Sequence, residues 1–300
     1  MKKKTYLFTL MAMALTLGSC SDNENGIGGE TSKYITVSTS IGNMTRVATD
    51  EKGGQTFEEG DEISVYAWTG DATVAPETSE RVVNNAINKL TNGSWVSTPQ
   101  MLWKNNRDKH YFIGVYPTAA ISDLSAGEYT FDANKQTESD LLVAVNKDGL
   151  SYNADAQQTV PLTFTHVMAK LAVNLTYKNQ WGGIPTVEKV VVGNAAKEAT
   201  INYLTKVVTP STTAKEDFSL PEITENTKYV SVIIPQEDVK QLTIVIGGKN
   251  FVYDNGTPFK LESGKITTVN LEVGRDEIKL GDVKITNWED GSTFSGEALN

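Results

Sequence analysis

Residues 159–177, TVPLTFTHVMAKLAVNLTY, carry the pattern from which the fold is read. Leu162, Phe164, His166 and Met168 occupy even positions, whereas Leu171, Val173, Leu175 and Tyr177 are odd. Side chains alternate across a strand with period two, so a continuous strand cannot keep both sets on one face. The apolar face therefore switches near Ala169-Lys170, at a bulge or where a strand bends between two sheets. Outward from this point the same short runs recur: YITVSTSI, EISVYAW, HYFIGVYP, DLLVAV, VEKVVVGN, YVSVIIP, QLTIVI and KITTVNLEV. Gly, Asn, Asp, Thr and Pro divide them. Ile63, Val65 and Ala67 share one face, as do Leu242, Ile244 and Ile246, and IVIGGKNFVYD reads as a hairpin turning at Gly247-Gly248. Many short strands with turns between them predict an all-β sandwich or barrel. In SERVVNNAINKLTNG, Val82, Val83, Ala86, Ile87 and Leu90 instead have helical spacing, so periodicity alone predicts a helix there. KNQWGGIPT breaks the β pattern and sets an expected domain boundary close to Lys178. No internal repeat is present.

The N-terminus has its own logic. Lys2, Lys3 and Lys4 precede an apolar run from Tyr6 to Leu17, which is a secretory signal and too short to span a membrane comfortably. Leu17-Gly18-Ser19-Cys20 follows and resembles the bacterial lipobox, in which the cysteine is acylated and becomes the mature terminus. Cys20 is the only cysteine of the 300 residues, so lipidation leaves no thiol for a disulfide or a nucleophile. Each buried methylene of an acyl chain contributes about 0.8 kcal/mol, and stable anchoring needs more than one chain. The following SDNENGIGGETSK is polar and glycine-rich, a tether over residues 20–33 after a signal over 1–19. Its first residues also resemble the acidic signals that export lipoproteins to the outer face of the outer membrane.

The chain carries 27 basic and 37 acidic residues. Loss of the signal removes three lysines and no acid, which leaves 24 against 37 and a mature charge of −13. That balance excludes nucleic acid as the natural partner, since its binders concentrate Lys and Arg.

Motifs for chemistry are scarce. There is no H-E-x-x-H, C-x-x-C, G-x-S-x-G or Walker loop. Of the two histidines, His166 reads as a hydrogen-bonded core residue and His110, opening its strand, as exposed. The acidic clusters FEEGDE and NWEDG read as polar turns, and no fragment has EF-hand spacing. Trp68, Trp95 and Trp103 sit in or beside strands, which points to packing and not to a sugar-stacking platform. No catalytic site, cofactor or metal site is expected.

Several ordered fragments resemble the fimbrillin family, the subunits of type V pili. MTRVATDEKGGQTFEEGDEISVYAW is similar to the family's T-R followed by G-D-x-I-x-V-Y. MLWKNNRDKHYFIGVYP resembles its W with an aromatic run ending in Y-P. DLLVAV, VPLTFTHVMAKLAVNL and ITNWEDG resemble its D-L-x-x-A, L-x-F-x-H-x-x-(A/S)-K-L and I-x-x-W-x-x-G elements. The resemblance implies two β-sandwiches of transthyretin-like, Greek-key type, here 34–177 and 178–300, and an extended conformation for NNAINKLTNGSW. It also implies an outer-membrane lipoprotein, anchored by lipid alone, whose N-terminal segment an arginine-specific protease removes. A strand from another pilus subunit then fills the vacated groove. On this chain the cut would fall between Arg46 and Val47, and the exchanged strand would be the one bearing Ile35, Val37, Thr39 and Ile41. The family includes tip, anchor and accessory proteins as well as stalk subunits, and a host or bacterial surface ligand is not specified by the sequence. Arg81, Arg107 and Arg275, the other arginines, lie within or near elements expected to protect them. Two alternatives stand beside this: a permanent first strand with Arg46 an ordinary loop residue, and a glycan-binding surface lipoprotein that never polymerises.

Overall fold

The computed structural model describes residues 33–42, 56–155, 158–254 and 256–288, which lie in one compact unit beginning at Thr31. Cys20, Arg46 and Val47 lie outside the described residues, so the readings of lipidation and cleavage have no structural counterpart.

The chain is all-β. Its first strands are β1 (Thr36–Ile41), β2 (Glu62–Thr69), β3 (Val83–Thr91), β4 (Ser94–Thr98) and β5 (His110–Tyr116). Then come β6 (Gly127–Thr130), β7 (Leu142–Leu150), β8 (Thr159–His166), β9 (Ala169–Tyr177) and β10 (Val187–Ala196). Next are β11 (Glu198–Asn202), β12 (Val207–Pro210), β13 (Lys215–Leu220), β14 (Glu222–Thr224) and β15 (Lys228–Ile233). Last are β16 (Gln241–Ile246), β17 (Lys249–Asp254), β18 (Lys265–Val273) and β19 (Ile278–Asn287). Helix among the described residues is limited to two single 3-10 turns, Thr78–Glu80 and Asn179–Trp181.

The face switch in 159–177 is a change of sheet. β8 buries Val160, Leu162 and Phe164 in a seven-stranded sheet of order β1-β8-β7-β5-β2-β3-β4. After the buried corner Val167-Met168, β9 buries Ala169, Leu171, Val173 and Leu175 in the sheet β14-β15-β9-β18-β19. Opposite lies β13-β10-β16-β17, and β6, from the first half of the chain, pairs with β11 in the small sheet β12-β11-β6. β16 and β17 form the expected hairpin: Gly247 (φ 57°) and Gly248 (φ 71°) supply the two left-handed residues of its turn.

The segment Val82–Leu90 is helical by periodicity alone and extended by the family resemblance. It forms strand β3, as the resemblance implied, and the reason its periodicity misleads is a bulge. Val65 pairs with Ala86, yet Ala67 pairs with Val83, so one extra residue is inserted beside Asn85, whose φ is 56°. The insertion turns both Val83 and Ala86 inward. A bulged strand thus reproduces the i, i+3 spacing of a helix.

The seven-stranded sheet curls until its edges meet. The Ile35 N–H donates to the Met101 carbonyl (2.9 Å) and the Trp103 N–H to the Lys33 carbonyl (3.2 Å), joining the start of β1 to the chain beyond β4. Its concave face encloses a core of Ile35, Val37, Ile63, Val65, Phe112, Leu162 and Phe164. Its convex face sends Tyr66, Trp68, Ile113 and Val115 into the core shared with β9, β10 and β18. β2 is therefore buried from Ile63 to Trp68 on both faces.

Candidate functional site

The strand singled out from the sequence is β1. It lies at a sheet edge, parallel to β8, in register from Thr36 opposite Thr159 to Ile41 opposite Phe164. Ser38 and Ser40 face solvent, while Ile35 (2 % exposed), Val37 (6 %) and Ile41 (8 %) project into the concave core. Thr39 shares their face and is half-buried; its Oγ1 accepts a hydrogen bond from Trp95 Nε1–H on β4 (3.0 Å). All four residues singled out from the sequence thus face one way. β1 fills a groove between β8 and the opposite edge of the same curled sheet.

An aromatic group closes the far end of this groove. Phe57 makes edge contacts with Trp95 (5.3 Å), Tyr116 (5.4 Å) and Phe164 (5.1 Å). Beside it a cleft of about 490 Å³ is lined by Ile41, Phe57, Asp140, His166 and Lys170 among others. His166 Nδ1 lies 2.8 Å from Asp140 Oδ1, and its ring stacks on Trp288 at 4.0 Å and 9°. Lys170 Nζ sits 4.1 Å from the centre of the Trp288 ring. His166 is hydrogen-bonded, as expected, but it is half-buried in the wall of the cleft and is not a core residue.

His110 is not the exposed residue its position suggested. It is fully buried because the chain from Trp103 to Lys109 folds over it. Nε2 accepts from the Lys104 backbone N–H (3.0 Å), and Nδ1–H donates to the Asp108 carbonyl (3.1 Å). This is a neutral imidazole, and burial holds its pKa below the ordinary 6.5. His110→Ala is expected to cost about 2–4 kcal/mol, since it leaves a cavity and two unpaired backbone groups. The unfolded chain binds the proton more readily. The contribution of His110 is therefore whole above pH 6.5 and declines as the pH falls from there towards its lower folded value. Urea unfolding at pH 7.5 and 5.5 checks this: His110→Phe should lose less stability between the two than the wild type.

The other arginines divide: one is protected as expected and two are not. Arg81 is buried and donates to Asn84 Oδ1, Ile121 O and Ser122 O, which shields it from a protease. Arg107 and Arg275 are instead exposed, in the loop before β5 and in the turn before β19. None of the five tryptophans is exposed: Trp68 and Trp288 are buried, and Trp95, Trp103 and Trp181 are half-buried. This disfavours an open sugar-stacking platform. Among the described residues no group of three or more His, Cys, Asp or Glu side chains is placed to hold a metal ion, and no helix is long and apolar enough to cross a membrane.

The fold has solved counterparts. A candidate cell adhesion protein from Bacteroides uniformis superposes with a TM-score of 0.63 at 19 % identity, over 86 % of this chain and 100 % of that one. A second, from Bacteroides ovatus, gives 0.62 at 18 % identity, over 86 % and 98 %. A fimbrial protein from Bacteroides vulgatus gives 0.52 at 13 %, over 85 % and 99 %. No curated protein matches the sequence. The family profile described as fimbrillin-like matches residues 45–288, most of the sequence, and the chain therefore belongs to the fimbrillin-like family.

Proposed function

We propose that this chain is a non-enzymatic pilus subunit or pilus-associated adhesin that reaches the outer membrane as a lipoprotein on Cys20 and assembles by exchange of β1. Family membership supports a pilus-related protein at the cell surface. The observation that carries the finer reading is the placement of β1. It is an edge strand whose three aliphatic side chains complete a core to which β2, β3, β5, β7 and β8 also contribute. Loss of such a strand leaves an apolar groove with unpaired backbone groups, which is the setting for β-strand addition. The strand and the rest of the sheet are joined through Arg46, five residues beyond Ile41 in the sequence. An arginine-specific protease is the proposed activator, and other pilus subunits are the proposed partners. An organisation into two β-sandwiches belongs to the same proposal, with the division moved from Lys178 to Val167-Met168, because β9 pairs with β15 and β18.

The test must allow for the exposed Arg107 and Arg275, so the background is Arg107→Lys with Arg275→Lys. Brief treatment of this folded protein with an arginine-specific protease is expected to give one new terminus at Val47, followed by slow formation of oligomer ladders. Arg46→Ala in the same background should stay intact and monomeric. Ladders formed equally by Arg46→Ala, or resistance of Arg46 to the protease, would end the strand-exchange reading.

A further inference from the structure

The groove that holds β1 is not uniformly apolar. Three of its four inward positions take aliphatic side chains, and the third in order, Thr39, meets a hydrogen-bond donor. That donor, Trp95 Nε1–H, lies on β4, across the gap between the two sheet edges. The indole is held by its edge contact with Phe57, which in turn packs on Phe164 and Tyr116. Phe57 follows Arg46 in the sequence, so a cut at Arg46 leaves both Phe57 and Trp95 on the subunit. The donor therefore remains aimed into the groove after β1 has gone. An indole N–H has no other hydrogen-bonding capacity: it can donate and nothing else.

We propose that Trp95 sets the register and direction of whatever strand fills this groove. This rests on the strand-exchange reading above and adds to it the chemistry of the partner. The incoming strand has aliphatic residues at its first, third and seventh positions and a side-chain acceptor, Ser or Thr by size, at its fifth. A slip of one residue would turn every aliphatic side chain to solvent. A slip of two would set an aliphatic side chain against the indole N–H and a hydroxyl in an apolar pocket. Reversal of the strand moves the acceptor to the third position, so the same contact also selects the direction parallel to β8.

The experiment uses the full chain with Arg107→Lys and Arg275→Lys, cut in the folded state by an arginine-specific protease. Excess fluorescent peptide of residues 33–42 is present during the cut, and binding is followed by anisotropy. The peptide is offered with its native sequence or with Thr39→Val, which keeps the shape and removes the acceptor. On the native groove the Thr39→Val peptide is expected to bind roughly tenfold more weakly, the effect of one lost hydrogen bond at a half-buried donor. In Trp95→Phe the two peptides should bind within about twofold of each other. Equal binding of both peptides to the native groove would overturn the role of Trp95 and leave strand exchange standing. Failure of both peptides to bind the cut protein would overturn strand exchange and this inference with it. The peptide substitution needs no altered protein, so the comparison holds even if Trp95→Phe folds poorly.

Discussion

A chain with serine at Ile35, Val37 and Ile41 together is expected to lose on the order of 5–9 kcal/mol of stability. Full burial of an aliphatic side chain of this size contributes roughly 1.5–3 kcal/mol, and all three are more than nine-tenths buried. The area bookkeeping sets an upper bound, because an unfolded chain already hides some apolar surface. Even its lower end rivals the total stability of about 5–15 kcal/mol typical of a domain. The loss should not stay local. The concave core they complete includes Val65 and Phe112, and β2 and β5 carry the convex residues Tyr66 and Ile113 into the second core. Serine at the three sites should therefore lower the urea midpoint of the whole transition. Ser38→Ala, on the exposed face of the same strand, is the control and should change stability by less than about 0.5 kcal/mol. If the triple variant loses under about 2 kcal/mol, β1 is an accessory strand and its removal opens no groove worth refilling.

The parts of this architecture that were legible in the sequence are those governed by local alternation. β8 keeps strict period two and the large apolar residues of β9 keep it too, so the change of sheet at Val167-Met168 showed as a change of parity. The inward set Ile35, Val37, Thr39 and Ile41 was visible for the same reason. What failed was what depends on insertion or on distant chain. The bulge at Asn85 shifted the phase of β3 and gave a helical signature. His110 stands at a strand start, where exposure is the usual expectation, but the loop from Trp103 to Lys109 supplies the backbone partners that bury it. The protection of Arg81 was expected, but not its means, which are carbonyls forty residues away at Ile121 and Ser122. The exposed Arg107 sits in a short turn that its neighbours' strand pattern concealed. Nothing local announces that β1 pairs with β8 or that Thr39 meets Trp95, since these contacts close loops of 123 and 56 residues. Thr39 in an otherwise aliphatic row was the only trace of that contact.

The same long-range packing yields a second large effect, on a pair of residues. Gly114, Ala144 and Phe164 form one row across β5, β7 and β8, with Ala144 paired to each of the other two. The small residues make room for the Phe164 ring, which reaches along the row towards β5. A Cβ placed on Gly114 would lie 2.6 Å from Phe164 Cζ and 3.1 Å from Leu162 Cδ1. Phe164 is fully buried and its ring also supports Phe57, so it has no space to retreat. Gly114→Ala is therefore expected to cost about 1–3 kcal/mol through overpacking. Phe164→Ala should cost about 3–5 kcal/mol, from lost transfer energy and the cavity it leaves. The two should not add. With Phe164 truncated, the methyl group at 114 meets open space and partly fills the cavity, so the penalty of Gly114→Ala should vanish or change sign. Urea unfolding of the four proteins in this cycle should show a coupling of about 1–3 kcal/mol, within the range seen for residues in contact. Additive losses within about 0.5 kcal/mol would mean that the ring at 164 does not reach Gly114, and that the concave core beneath β1 is packed differently from the arrangement described above.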